Sequence, residues 1–141
     1  MTHPRSIARE AALKMLYQLD VRADLEPEQL FAELDELTEN LDARRYGRDI
    51  VIGARANMDA IDAELEAVAH NWTLARMAAI DRNVLRLGAY ELMFRPDLPP
   101  AVSINEAVDL AKSYSTKDSG SFVNGILDKI RLRVSAAGSG S

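Results

Sequence analysis

The last predicted helix carries an aromatic residue and two cations on the same side. At 100° per residue, Phe122, Lys129 and Arg133 project within an arc of about 40°, beside an apolar stripe. An aromatic ring next to two positive charges suits single-stranded RNA, because a base can stack on the ring while the cations meet phosphates. Tyr114 and Lys117 precede this helix and could extend the surface. The alternative is that Phe122 belongs to the core and that the cations form a solvated edge.

The first predicted helix places two arginines on its apolar face. Arg5 and Arg9 project onto the same side as Leu13 and Leu16. At the start of a helix, such arginines can extend past the core and bind phosphate with two hydrogen bonds. Alternatively, their aliphatic stems cover apolar surface, or one of them pairs with a buried acid.

Glu91 is the candidate for that buried acid. It projects onto the apolar side of a later helix that also carries Val84 and Leu87. A buried carboxylate without a partner is costly. We therefore expect Glu91 to form a structural ion pair with Arg9 or Arg86.

The chain offers no constellation for catalysis. Its only histidines are His3 and His70, and it has no cysteine. The residue spacings that hold zinc are absent, and so is a glycine-rich phosphate loop. Without a candidate histidine base, the many Ser and Asp residues form no nucleophilic triad. The sequence predicts a binding protein that is not an enzyme and that uses no metal or cofactor.

The net charge of −5 is unevenly distributed. Residues 1–22 carry +2 and residues 112–141 carry +3, whereas residues 23–70 carry −9 and residues 71–111 carry −1. An anionic ligand could meet the two basic ends if the fold brings them together. The acidic residues within 23–70 are interpreted as a solvated helix face.

A chain of 141 residues is long enough for one domain with its own core. No apolar run approaches the roughly 20 residues that span a membrane, and no apolar signal-peptide segment follows residue 5. We expect a cytoplasmic protein with one helical domain over residues 1–134 and a disordered tail over residues 135–141.

The apolar pattern is helical along nearly the whole chain. The first half predicts a helix over residues 5–21, a second that begins at Pro27, and a long third over residues 44–68. A break follows at Trp72, and Thr73 is placed to cap a short helical piece.

The second half predicts three more helices. One runs through Ile80 and ends before Pro96. The next begins at a capping box formed by Ser103 and Glu106. The last begins after a polar turn, with Asp118 or Ser119 as its cap. Six long helices and one short piece predict an all-α bundle in two packed sets.

Two segments near the carboxyl terminus, Ile104–Lys112 and Phe122–Lys129, resemble the signature of the NusB family of bacterial transcription antitermination factors. The segments Ala8–Tyr17 and Asp81–Leu92 carry further resemblance. The family fold is an all-helical bundle of seven helices in two small sub-bundles. The resemblance implies binding of the boxA element in ribosomal RNA leaders, which promotes read-through of terminators by RNA polymerase. It also implies a partner, NusE, which is a ribosomal small-subunit protein that acts in transcription.

The resemblance also implies which residues bind. The family's arginine-rich amino-terminal segment corresponds to Arg5 and Arg9. The other RNA-binding positions that it implies are Tyr114, Asp118, Phe122 and Lys129, to which the chemistry of the last helix adds Lys117 and Arg133. The family's contact with NusE uses the helix that begins here at Asp81.

Three positions depart from the family pattern. Ser6 and Ile7 stand where relatives often have arginine or lysine, and Ser121 stands where a basic residue often precedes the aromatic one. Each lost cation removes a phosphate contact and lowers the salt dependence of binding. We expect weaker binding to RNA alone and greater dependence on NusE. The alternative is a helical adaptor that binds only protein and has lost RNA recognition. A homodimer that hides the arginines is also possible.

Overall fold

The computed structural model describes residues 3–139 of the chain. Within them the chain forms seven α-helices and a short 3-10 helix, and it forms no strand. The elements are Pro4–Val21 (α1), Pro27–Leu37 (α2), Leu41–Ala56 (α3), Met58–Val68 (α4), the 3-10 helix Leu74–Arg76, Ala79–Phe94 (α5), Pro100–Tyr114 (α6) and Ser119–Ser139 (α7). None of these helices is long and apolar enough to cross a lipid bilayer.

Prolines set three of the helix starts. Pro4, Pro27 and Pro100 each occupy the first turn of a helix, where the missing N–H costs nothing and the fixed φ angle suits the helix. The predicted first helix and the predicted start at Pro27 are therefore confirmed.

The predicted third helix is wrong in one respect, because it is interrupted at Asn57. The Asn57 side-chain amide donates to the Gly53 carbonyl at 2.8 Å, and its backbone N–H donates to the same oxygen at 3.1 Å. A side chain that competes for backbone acceptors in this way favours a helix end. The chain therefore turns into α4 one residue later.

The predicted capping box of Ser103 and Glu106 is also wrong. Because α6 begins at Pro100, Ser103 lies inside the helix, where its buried hydroxyl has no hydrogen-bond partner among the described residues. Glu106 instead accepts a hydrogen bond from Ser6 of α1 at 2.7 Å. The spacing was right for a cap, but the helix starts one turn earlier.

The last helix begins at Ser119, so Asp118 directly precedes it as predicted. Its carbonyl accepts the backbone N–H of Phe122 at 3.3 Å. The helix continues past the predicted boundary at residue 134 and reaches Ser139. Residues 140 and 141 of the predicted tail lie outside the described residues.

The helices pack as two sets, as predicted. Helices α1, α2 and α3 pack on one another, and α4, α6 and α7 pack around α5. Helix α5 also contacts α1 and α3, so it joins the two sets. Its approach to α7 depends on Gly88, where an added Cβ would lie 2.5 Å from a Leu127 methyl carbon.

Candidate nucleic-acid interface

Two aromatic rings form the centre of the candidate surface. Trp72 lies between α4 and the 3-10 helix, and Phe122 lies in the first turn of α7. Their ring centroids are 5.4 Å apart at an interplanar angle of 71°, an edge-to-face arrangement. Trp72 is 54% exposed, whereas Phe122 is half-buried and packs against the core. The pair therefore offers aromatic surface to solvent while Phe122 anchors it.

Sequence reasoning missed Trp72 as a binding residue. The sequence pattern indicates only a break in the helical periodicity at this position. The available signal was that this single tryptophan stands in a non-helical segment. A large aromatic side chain in such a place has little secondary structure to cover it and is a candidate for binding.

A cleft of about 330 Å³ lies on one side of the aromatic pair. Arg76, Asp81 and Asp118 line it together with both rings. Asp81, in the first turn of α5, accepts a hydrogen bond from Ser119 through Oδ2 at 3.2 Å. Its Oδ1 is buried and has no hydrogen-bond partner among residues 3–139. The fold thus brings the predicted NusE-binding residue next to two predicted RNA-binding residues.

A second cleft of about 320 Å³ lies on the other side of the pair. Lys129, His70 and Gly125 line it, again with both rings. Lys129 is exposed. A Cβ added at Gly125 would meet nothing within 4 Å, so this position leaves open space beside the rings. The predicted association of Phe122 with Lys129 is therefore present in the folded chain.

Arg133 does not share these clefts. Its guanidinium pairs with the Glu64 carboxylate of α4, and the hydrogen bond from Nη2 is 3.4 Å long. That hydrogen bond and the charge of Glu64 raise the pKa of Arg133. The helical projection placed Arg133 beside Phe122, but an acid on a neighbouring helix engages it instead.

Tyr114 contacts α1 and lines neither cleft. Its hydroxyl donates to the Glu10 carboxylate, and the Lys14 ammonium lies 5.5 Å from its ring centroid. The hydrogen bond to Glu10 is the main reason that the pKa of Tyr114 is raised. Lys117 is exposed in the turn that follows α6. Tyr114 thus extends the exposed surface toward α1, and neither Tyr114 nor Lys117 lines the two clefts beside the aromatic pair.

Arg9 is buried, and it forms the predicted pair with Glu91. Its Nε lies 3.1 Å and 2.9 Å from the two Glu91 carboxylate oxygens. Arg9 is 2% exposed and Glu91 is 1% exposed. Tyr46 of α3 donates a further hydrogen bond to Glu91, and Glu106 of α6 lies 3.6 Å from Arg9 Nη1. Arg9 thus links four helices.

The surroundings of Arg9 keep it charged and in place. Burial acts to lower the pKa of Arg9, but the charge of Glu91 and its hydrogen bond to Arg9 outweigh burial, so the pKa is raised. The other candidate partner, Arg86, pairs instead with Asp62 through two 2.9 Å hydrogen bonds. Arg9 therefore presents no free guanidinium to RNA, and its predicted role as a phosphate contact does not fit its position.

Arg5 remains available at the amino-terminal end. Its side chain is 33% exposed, its guanidinium carbon lies 4.6 Å from the Tyr46 ring centroid, and its Nε is 3.9 Å from Asp42. No group of three or more acidic, histidine or cysteine side chains in the described part of the chain could hold a metal ion.

A family model described as the NusB family matches residues 6–131. The Transcription antitermination protein NusB of Sorangium cellulosum is 44% identical over 126 residues, which cover 89% of this chain and 90% of that relative. Relatives of this kind are named for transcription antitermination and not for a catalysed reaction, in agreement with the prediction of a protein that is not an enzyme.

Two solved structures show the same architecture. T. maritima NusB matches with a TM-score of 0.83 and 40% identity, covering 94% of this chain and 93% of that chain. A structure of the antitermination factors NusB and NusE in complex with dsRNA matches with a TM-score of 0.84 and 33% identity, covering 94% of this chain and 99% of that chain. Since the family model, the relatives and the fold all span most of its length, the chain belongs to the NusB family.

Proposed function

We propose that this chain is a transcription antitermination factor that binds boxA RNA of ribosomal RNA leaders together with NusE and promotes read-through by RNA polymerase. The observation that carries the proposal is the contact of the exposed Trp72 with the half-buried Phe122, with a cleft on each side of the two rings. The relationship to NusB proteins, one of which was solved with NusE and RNA, supports it. The protein would act in the cytoplasm, where bacterial transcription takes place.

The aromatic pair is suited to stacking an RNA base. Stacking tolerates any base, because each has a π-face, and positive charge nearby holds the backbone. Lys129 lies on one side of the pair and Arg76 on the other. The exposed Lys117 and the partly exposed Arg5 are further cations from the predicted set, whereas the exposed Arg133 is paired with Glu64. In this assignment Arg9 is a structural residue and does not touch RNA.

Asp81 is suited to a protein partner. One of its carboxylate oxygens is engaged by Ser119, and the other has no hydrogen-bond partner among the described residues. The residue as a whole is only partly buried and lines the cleft, so a partner that enters the cleft can contact its carboxylate. Because Asp81 and Phe122 line the same cleft, NusE and RNA would bind at adjoining surfaces, which accounts for joint binding.

The test is RNA binding by the purified protein, with and without NusE, at two salt concentrations. A labelled boxA RNA is compared with a scrambled RNA of the same composition by fluorescence anisotropy. We expect sequence-dependent binding that strengthens when NusE is added and weakens as salt rises. Equal affinity for both RNAs even with NusE would reject the proposal and favour the adaptor that binds only protein.

A further inference from the structure

Three arginines surround the ring of one buried tyrosine. The guanidinium carbons of Arg5, Arg95 and Arg9 lie 4.6 Å, 5.2 Å and 5.4 Å from the Tyr46 ring centroid. Such distances allow cation–π attraction, which holds each guanidinium against the ring. Arg9 is committed to Glu91. Arg5 and Arg95 keep 33% and 22% of their side chains exposed, so these two can meet a ligand.

Arg95 presents its donors in a fork at the surface. It follows α5, and its backbone N–H donates to the Glu91 carbonyl at 3.1 Å. Its side chain donates two parallel hydrogen bonds to Asp97, from Nε to Oδ1 at 3.0 Å and from Nη2 to Oδ2 at 2.9 Å. An arginine fork binds a phosphate group with the same two-point geometry. A carboxylate therefore fills the position that a phosphate would take.

Arg5 acts on the same carboxylate. The hydrogen bonds from Arg95 are the main reason that the pKa of Asp97 is lowered, and the charge of Arg5 contributes to the same shift. Although Arg5 and Arg95 lie far apart in sequence, both guanidinium groups lie against the Tyr46 ring, so the two cations are close in space. Asp97 is 57% exposed and Asp42, the other acid near Arg5, is 64% exposed. Ion pairs this exposed are weak and can be exchanged for another anion.

We propose that Arg95, held on the Tyr46 ring beside Arg5, binds a phosphate group of the RNA backbone, and that Asp97 occupies the Arg95 fork until RNA displaces it. The inference rests on the proposed function, since it names the part of the RNA, a backbone phosphate, that the surface around Arg95 binds. It also supplies a cation that the amino-terminal segment lacks. Ser6 cannot contact phosphate in this arrangement, because its hydroxyl donates to Glu106.

The experiment uses the full chain, with NusE present, and titrates labelled boxA RNA against four proteins. These are the unchanged protein, Arg95→Gln, Asp97→Asn and the double variant. Asp97→Asn should raise RNA affinity about two- to fivefold, because it removes the competing anion of an exposed ion pair. Arg95→Gln should lower affinity about three- to tenfold and reduce the log–log salt slope by about 0.7, the value for one phosphate contact in a single strand.

The double variant distinguishes competition from a general charge effect. If Asp97 acts only by occupying the Arg95 fork, Asp97→Asn gives no gain once Arg95 is glutamine. The matched control is the pair Arg22 and Asp24, which also follows a helix end at the same spacing. Its hydrogen bond is 3.1 Å long, and within residues 3–139 its arginine lies over no aromatic ring. Asp24→Asn and Arg22→Gln should leave RNA affinity nearly unchanged.

Each outcome decides the proposal. Because Asp97→Asn is expected to increase binding, a loss of folding cannot imitate the expected result, and circular dichroism checks the helical content of every variant. Suppose that the unchanged protein binds boxA RNA but that Asp97→Asn does not raise RNA affinity, or raises it no more than Asp24→Asn does. The proposed role of Arg95 and Asp97 is then wrong, and the proposed function stands. If the unchanged protein binds no RNA with NusE, both are wrong.

Discussion

Arg9 of α1 and Glu91 of α5 form a buried ion pair, in which both carboxylate oxygens accept from the Arg9 Nε–H, and this pair connects the two sets of helices. The carboxylate also accepts a hydrogen bond from Tyr46. Removing one partner leaves an uncompensated charge in the core, which costs about 3–5 kcal/mol. We therefore expect Arg9→Met and Glu91→Ala each to lower the free energy of unfolding by about that amount, measured by urea denaturation.

The Arg9→Met variant also distinguishes a structural role of Arg9 from direct contact with RNA. If the role is structural, Arg9→Met binds RNA with the salt slope of the unchanged protein whenever enough of it is folded. A stable Arg9→Met protein with a reduced salt slope would instead restore Arg9 as a phosphate contact.

Substitution at two glycines should have opposite effects on stability. At Gly88 a methyl group meets Leu127 at 2.5 Å, so Gly88→Ala forces apart α5 and α7 and should cost about 1–3 kcal/mol. At Gly125, inside α7, a methyl group meets nothing within 4 Å, so Gly125→Ala should add about 0.5–1 kcal/mol through helix propensity. Thermal unfolding followed by circular dichroism measures both. Equal effects at the two sites would contradict the described packing of α5 on α7.

Replacing either ring of the aromatic pair should weaken RNA binding. Stacking on one aromatic side chain contributes about 1–3 kcal/mol per base. Trp72→Ala should lose that affinity with little loss of stability, because Trp72 is 54% exposed. Phe122→Ala should lose both affinity and stability, because Phe122 also packs against the core. Anisotropy titration and urea denaturation test the two effects, and unchanged RNA affinity in Trp72→Ala would exclude Trp72 from the interface.

Asp81→Asn should weaken the association with NusE and leave the weak binding of RNA alone unchanged. The control is Asp59→Asn, since Asp59 is likewise an acid in the first turn of a helix but is exposed on α4. Pull-down or calorimetric titration with purified NusE provides the measurement. Equal losses for both variants would indicate a general effect of charge and not a contact made by Asp81.

Protonation of Asp20 should lower the free energy of unfolding at acid pH. Burial acts to raise its pKa, but hydrogen bonds from Asn83 and Arg82 and the charge of Arg86 outweigh it, so the pKa lies below the ordinary value of 3.8. A lowered pKa gives stability that is fully present above pH 3.8 and is lost as pH falls through the folded-state pKa. Asp20→Asn should therefore reduce the free energy of unfolding at neutral pH and much less at the acid end. A difference that is independent of pH would contradict this assignment.

Much of the fold could be predicted because its signals are local. Prolines mark helix starts, and the apolar period gives the helical segments. The same period could not reveal the break at Asn57, because Ala54, Met58 and Ile61 keep helical spacing across it. A single-residue interruption changes hydrogen bonding without changing the spacing of the apolar side chains.

The candidate site was predicted less completely because its contacts are tertiary. Projection onto α7 grouped Phe122 with Lys129 correctly, and burial cost alone led to a partner for Glu91. The helical projection could not show that Glu64 pairs with Arg133, because Glu64 lies on another helix, α4. Trp72 lies in a segment without periodicity, so no helical face indicated where its ring would lie.

Helix α5 is buried on nearly all sides, with Val84, Leu87 and Leu92 among its covered residues. It supplies packing surface to both sets of helices. Neither set retains a complete core without it, so the two sets cannot melt one after the other. The domain should therefore unfold in a single cooperative transition. Local damage to α5 would then disrupt the cleft at Asp81 and the arginines on the Tyr46 ring together.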